Sequence, residues 1–342
     1  MPIRLRRFPR FALATLLHYS GAFVLWRLFR QRILGKKEVC VLGLHRVLTK
    51  DEQARSNSLD GMVLSDVTFA RLLGYLERRF HVVSLETLLA GETAGADRSK
   101  PRCLVTFDDG WGDTYTTAYP LLKKFAIPAT VFVATGSIES RGGFWGERLR
   151  RAWKDPASRA KMKSFLSGAL AEQDAASALE NSAEWLKHMP AEKRCSLLER
   201  LLPAENSGDT DEADSMLTWN QVIEMSRDGV EIGAHTVTHP LLSYESDSTV
   251  ERELHMSKQT LEQKLGRKVW AFAYPNGDWD ERVRRWVERV GYKCAFTTKP
   301  GWHDCEEDRY IIRRVLIHEG NVTGRDGQFS PAMLSLALAG WP

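Results

Sequence analysis

The chain has 342 residues, 43% of them hydrophobic and 27% charged. That is enough to bury one large core or two medium ones, and too ordinary for a disordered, collagen-like or disulfide-stapled protein. The net charge of +4 is unevenly placed: residues 1–37 hold nine of the 48 Lys and Arg and no acid, leaving 39 basic against 44 acidic residues in the body, which excludes a nucleic-acid footprint there.

The basic segment comes first. Arg4, Arg6, Arg7 and Arg10 precede a run, 11–29, that is apolar except for His18, Tyr19, Ser20 and Arg27. No small-x-small cleavage site follows Trp26, and the break at 18–21 leaves the run short of the roughly 20 apolar residues that a span needs. We expect a membrane-associating segment over 1–37 that lies in the interface, with arginines toward anionic lipid. An amphipathic helix docked on the domain is the plain alternative, and a signal or spanning helix the lesser one.

From there short apolar runs alternate with helical patterns. Residues 39–44, 81–84, 103–107, 129–134, 230–233, 269–273, 294–297 and 311–317 read as strands. Helical spacing occupies 67–79, 115–125, 219–227, 249–265 and 280–290. This alternation predicts a parallel sheet. Polar residues cluster directly after several strands, as at the carboxyl-end face of a βα barrel, so closure is the expectation. Residues 141–215 break the rhythm and read as a helical insertion, closed by an exposed loop at 206–212, with Phe144 and Trp145 turning back toward the strand ends. The barrel therefore spans 38–320, and the tail 321–342 ends in an apolar stretch, 333–338, that packs on it. Cys40, Cys103 and Cys294 lie in apolar runs as buried thiols, Cys195 and Cys305 do not, and no Cys-x-x-Cys occurs. This usage favours a reducing compartment.

Two motifs carry chemistry. Thr106-Phe107-Asp108-Asp109-Gly110 places adjacent carboxylates at the end of a buried strand, where each must be solvated, paired or metal-bound. Successive strand residues point opposite ways, so a turn at Gly110 must bring both to one site. Alone, this could be a solvated turn. His235-Thr236-Val237-Thr238-His239-Pro240 also follows a strand, and Pro240 favours a tight loop presenting both imidazoles over a helix. Two His and one Asp form a facial metal set that leaves positions open.

Together the motifs resemble the polysaccharide deacetylases, the carbohydrate esterases with the chitooligosaccharide deacetylase homology domain. The resemblance covers about 39–318, interrupted by the insertion. It implies a distorted (β/α)7 barrel with a divalent metal, usually Zn2+, held by Asp109, His235 and His239. Asp108 would be the base that takes a proton from metal-bound water. The family's Arg-x-Pro-Tyr motif is Phe272-Ala273-Tyr274-Pro275-Asn276-Gly277 here, which resembles the exopolysaccharide deacetylase branch. Ala273 stands where an arginine is expected. The backbone amide of Asn276 would then be the oxyanion donor, with Tyr274 beside it on the substrate side. The late Leu-x-His motif is Leu316-Ile317-His318, with Leu316 walling the acetyl pocket and His318 as general acid. Strand period places Arg314, Leu316 and His318 on one face, making Arg314 the candidate for the missing guanidinium. His45, after the first strand, matches an early family segment near the cleft. The family's Asp-Trp motif has no match.

The resemblance implies a hydrolase that removes an N-acyl group, foremost acetyl, from amino sugars of a glycan. A lipid-linked amino sugar at a membrane is the runner-up substrate. A non-catalytic glycan-binding protein and a hydrolase of another amide are the other classes. The expected location is cytoplasmic or on the cytoplasmic face of a bacterial-type inner membrane, with an anchored periplasmic protein as the alternative.

Overall fold

The strand alternation is realised as a curled sheet in the computed structural model, which describes residues 3–90, 100–170, 175–202 and 211–340. The strands are β1 (Glu38–Leu44), β2 (Arg46–Leu48), β3 (Val63–Ser65), β4 (His81–Val82), β5 (Arg102–Phe107) and β6 (Thr130–Val133). They continue with β7 (Glu231–Ala234), β8 (Ala271–Ala273), β9 (Cys294–Phe296), β10 (His303–Asp304) and β11 (Val315–Leu316). The main sheet runs β10-β1-β5-β6-β7-β8-β9, with β4 on β5 and β11 on β1, while β2 and β3 pair separately. Among the pairings of the described strands, only β10–β1 is antiparallel. The segment before β11 bends the far edge back to the first strand: Ile312 bridges Phe296 of β9, and Val315 and Leu316 pair with Leu42 and Gly43 of β1. This is the expected distorted βα barrel. The run expected over 311–317 is strand only at Val315–Leu316, because its earlier residues serve the bridge to β9.

Period-2 alternation sorts the side chains. Val39, Val41, Leu104, Phe132, Ala273, Phe296 and Ile312 fill the barrel interior. Their neighbours Cys40, Leu42, Val105, Phe107, Val131 and Val133 pack under the surrounding helices against Phe69, Leu72 and Leu76. Fully burying each such side chain contributes about 1.5–3 kcal/mol. Continued past β5, the inward row reads Leu104, Thr106, Asp108, so the first carboxylate enters the barrel mouth by strand periodicity alone.

The insertion is helical, as expected, with helices Trp145–Lys154, Pro156–Leu170, Ala175–Lys187 and Ala191–Leu201. It has its own core of Leu149, Trp153, Met162, Leu186 and Leu198. Of the loop expected at 206–212, residues 206–210 lie outside the described residues, and Asp211 caps the turn Glu212–Asp214. At the amino terminus α1 (Ile3–Tyr19) and α2 (Ala22–Arg32) meet at left-handed Gly21. Ala14 is buried against Ala332, Met333 and Leu336 of the Pro331–Leu338 helix, and the His18 ring bonds Ser335 at 2.8 Å. The segment is thus docked on the domain, and the apolar tail packs as expected. No single described helix is long and apolar enough to cross a membrane; the pair Arg10–Tyr19 and Ala22–Arg30, bent by 66°, passes by length and composition only.

Cys40 and Cys103 face each other across β1 and β5, buried with Cys294, while Cys195 and Cys305 are exposed. A colourless-to-yellow thiol reagent should therefore react with two thiols in the native protein and with five in denaturant.

Candidate metal centre and its surroundings

The site is built on left-handed turns at strand ends. Asp109 itself, with φ 77°, turns away from the strand, so the two carboxylates diverge from one backbone position to one cleft. Thr236, His239 and Asn276 also have positive φ, so four of the six such non-glycine residues described lie in the site motifs. Backbone strain of this kind persists only where surrounding contacts enforce it. For the histidine loop the enforcer is Glu253, buried on the Asp247–Leu265 helix. Its carboxylate accepts from the amides of Val237 and Thr238 at 2.8 and 2.9 Å and from the Thr238 hydroxyl at 2.9 Å.

Asp109, His235 and His239 converge, with one donor atom of each lying within 4.8 Å of the others. Oδ1 of Asp109 stands 3.4 Å from His235 Nε2 and 3.3 Å from His239 Nε2. Two ligands of one ion, each about 2.1 Å from it, stand about 3.0–3.4 Å apart, so the donor set fits a divalent cation. His235 Nδ1 donates to the Ala273 carbonyl at 2.7 Å, which fixes the tautomer and leaves Nε2 as the free donor. The second Asp109 oxygen accepts from the Trp111 indole N–H at 2.9 Å. Burial pushes the Asp109 carboxyl up, but the two imidazoles outweigh it and hold the group well below its ordinary range.

Asp108 is gripped by Arg314. Nη1 and Nη2 donate to Oδ1 and Oδ2, each at 2.7 Å, in a two-point fork. Arg314 also donates to Thr106 Oγ1 at 3.2 Å and, through Nε, to the Thr297 carbonyl at 2.9 Å. It is fully buried, with its guanidinium at Asp108, where the shared strand face with Leu316 and His318 led us to expect it. Burial raises the Asp108 carboxyl, yet Arg314 and His235 more than offset that and leave it lowered and ionised. To reach Asp108 from beside β1, the guanidinium crosses that strand at Gly43, where the lack of a side chain leaves room chiefly for Leu316. A Cβ there would stand 2.8 Å from Leu316 Cδ2 and 3.7 Å from Arg314 Cζ.

Of the other expected residues, His45 joins the site, its Nε2 4.0 Å from Asp108 Oδ2. Leu316 lies over Gly43 beside Arg314, as the shared face requires. His318 follows β11 and is half-buried, its backbone N–H donating to Asn321 Oδ1. Asn276 forms the exposed turn after β8, its carbonyl accepting from Thr298 Oγ1 at 3.0 Å. Tyr274 is a correction. It is fully buried in the outer core with its hydroxyl donating to the Tyr310 carbonyl at 3.0 Å, so it offers no surface to a substrate. The alternation that turns Ala273 inward turns Tyr274 outward under the helices. Phe144 does turn back to the site, its ring centroid 4.7 Å from that of His239. Sequence reasoning missed Trp111, Glu253 and Arg46. Trp111 directly follows the Asp-Asp-Gly turn, and Glu253 is an acid on the helix face it shares with Val250, Leu254 and Leu261, a signal that was available.

With this geometry in hand, comparisons with known proteins agree. The polysaccharide deacetylase family model matches residues 95–295, more than half of the chain. The chain is 23% identical over 230 residues, 67% of its length, to YxkH of Bacillus subtilis (strain 168), a protein named for the polysaccharide deacetylases, and it spans 56% of that relative. Among solved structures, the Streptococcus pyogenes deacetylase PplD superposes with a TM-score of 0.57 at 20% identity, covering 89% of this chain and 99% of that one. IcaB from Ammonifex degensii gives 0.54 at 20% identity, covering 88% and 95%. At such identity these structures speak for the fold, which is the same distorted barrel. The matched family model, covering both the Asp-Asp-Gly and the His-x3-His motifs, makes the chain a member of the polysaccharide deacetylase family.

Proposed function

We propose that the protein hydrolyses the N-acyl group, foremost acetyl, of an amino sugar in a glycan, using a divalent cation, most simply Zn2+, held by Asp109, His235 and His239. The observation that carries this reading is the pairing of that donor set with a second carboxylate, Asp108, held ionised and in fixed orientation by Arg314. A binding protein has no use for a poised base beside a metal carboxylate. The cation would supply Lewis acidity to the acyl carbonyl and to the attacking water.

The chain's own residues do the rest. Asp108 takes the proton of the attacking water, and Arg314 prevents its carboxylate from swinging toward the cation as an extra ligand. The Asn276 amide, presented by its left-handed turn, donates to the oxyanion, where preorganised dipoles act most strongly. His318, protonated, delivers a proton to the leaving nitrogen, since an amine anion cannot depart. Leu316 bounds the acyl methyl, and His45 stands beside Asp108 on the substrate side.

A lipid-linked amino sugar is the second reading, and one observation favours it. Leu16, Tyr19, Val24, Leu25, Trp26, Phe29, Ile33 and Leu34 are all exposed on or just after α1 and α2, in a segment with no acid and nine basic residues. We infer that this face rests on an anionic bilayer surface while Ala14 holds it to the domain.

Acetate release should be screened on chitooligosaccharide, poly-N-acetylglucosamine and lipid-linked amino sugars, with and without chelator. Release that chelator does not abolish, or none from any substrate, would overturn the reading. Asp108→Asn should lower turnover about 10²–10⁴-fold with metal content unchanged, whereas His235→Ala should lose the metal. Equal metal loss in both would mean that the two carboxylates have exchanged roles.

Arg314→Lys keeps the charge but not the fork. It should lower turnover about 10²-fold, the scale of a misplaced catalytic group, with metal content close to wild type and a lowered melting temperature, because Asp108 loses one donor and the buried Thr297 carbonyl loses its own.

For the membrane face, Leu25→Glu with Phe29→Glu should lower sedimentation with phosphatidylglycerol vesicles at least tenfold, while soluble-substrate activity stays unchanged. Deleting residues 1–37 is a poorer test, because it would uncover Ala332, Met333 and Leu336. Wild-type protein that ignores anionic vesicles would sink the idea.

A further inference from the structure

Arg46 is fully buried two residues beyond the end of β1, and none of its interactions is with the metal donors. Its Nε donates to Asp113 Oδ1 at 2.9 Å, and Nη1 donates to Asp214 Oδ1 at 2.9 Å and to the hydroxyls of Ser56 and Ser58. Nη2 donates to the Ala213 carbonyl. Asp113 is held in turn by the Val47 amide at 2.7 Å, and Asp214 by the Asn57 amide and side chain. Every arm of the fork therefore lies in one fixed plane, and that plane lies over the indole of Trp111, with Cζ 4.1 Å from the ring centroid.

Trp111 is the residue whose N–H donates to Asp109. A guanidinium over an indole face attracts its π density and is worth most where water is excluded. Drawing density from the ring also makes its N–H a stronger donor. The ring has nowhere else to turn: Phe144 packs edge-on at 5.7 Å, and Gly143 sits so close that a Cβ would come within 2.5 Å of the ring. Both contacts come from the start of the insertion, while Asp214 comes from its end. The backbone joins the same place, since Gly112 N–H donates to the Ser215 carbonyl at 2.9 Å and Leu217 N–H to that of Gly110 at 2.9 Å.

We propose that Arg46 is a positioning residue for the metal centre, acting through Trp111 to hold Asp109 as a one-oxygen ligand, and that Asp214 makes the insertion part of that hold. This inference rests on the metal reading above. With Oδ2 engaged by the indole, only Oδ1 is available beside the two imidazoles. Without that N–H the carboxylate is free to rotate, and outer partners of this kind typically alter metal affinity 10–100-fold. An ion network that served only to fasten the insertion would have no such effect.

The test measures Zn2+ affinity of the full chain by competition with a chromophoric chelator, alongside the visible spectrum of the Co2+ form. Trp111→Phe keeps the ring under the guanidinium and removes the N–H. Arg46→Lys keeps a charge for Asp113 and Asp214 and removes the plane. Each should weaken Zn2+ about tenfold and shift the Co2+ bands, and the double variant should be no more than about twofold weaker than the poorer single, because both act along one route. Should Arg46→Lys fail to fold, Asp214→Asn takes its place in the cycle. Unchanged affinity in Trp111→Phe, or losses that multiply in the double variant, would overturn the proposal while leaving the metal reading intact. A wild type that binds no Zn2+, or a His235→Ala variant that binds it as well, would instead overturn the metal reading itself.

Discussion

The Asp108–Arg314 pair is the constraint around which the barrel mouth is organised. Taking a carboxylate and a guanidinium out of water costs several kcal/mol per ion, and only good geometry with every remaining donor satisfied repays it. Here both carboxylate oxygens are matched by the fork, and the rest of the guanidinium is taken up by Thr106 and the Thr297 carbonyl. The requirement propagates outward. It fixes β11 against β1 at the height of Gly43, where Leu316 takes the space a side chain would need, and holds the segment that joins β9 to β1. An electrostatic need at the cleft and the topological closure of the sheet are thus met by one residue.

The same logic explains why a family member can lack the arginine expected at Ala273. What the Asp108 carboxylate needs is two parallel N–H donors at a fixed place, and the inner face of the barrel offers more than one strand from which to send them. Ala273 meanwhile keeps a role through its carbonyl, which orients His235, and its small side chain lies in the interior near Phe132 and Phe296. The loop carrying the histidines relies on Glu253 in the same manner, with a helix-borne carboxylate satisfying amides that the left-handed turn leaves without strand partners.

Much of this was legible in the sequence, for identifiable reasons. Continuous apolar runs bounded by polar turns, such as 39–44 and 103–107, and the carboxylates and imidazoles that follow them carry local signals that tertiary packing reinforces. Arg314 was legible because a period of two ties it to Leu316 and His318. Tyr274 was misplaced because a motif match says which residue is present, whereas its face depends on where a three-residue strand enters the sheet. Trp111 and Arg46 were missed because an indole N–H and a buried guanidinium acquire their partners only through contacts between segments far apart in the chain. The docking of α1 was open for a like reason: Phe11 and Ala14 on one face and Leu16 and Tyr19 on the other suit a protein groove and a lipid surface alike.

The order in which the cleft's parts occur along the chain has a consequence for biosynthesis. His45 and both aspartates leave the ribosome early and the histidines midway, while Arg314 follows more than 200 residues after Asp108. Until that last strand arrives, Asp108 is a carboxylate whose only place in the barrel would be buried and unpaired, a state costly enough to keep the mouth open to water. A product truncated before Arg314 therefore lacks both the β11–β1 pairing and the guanidinium partner of Asp108.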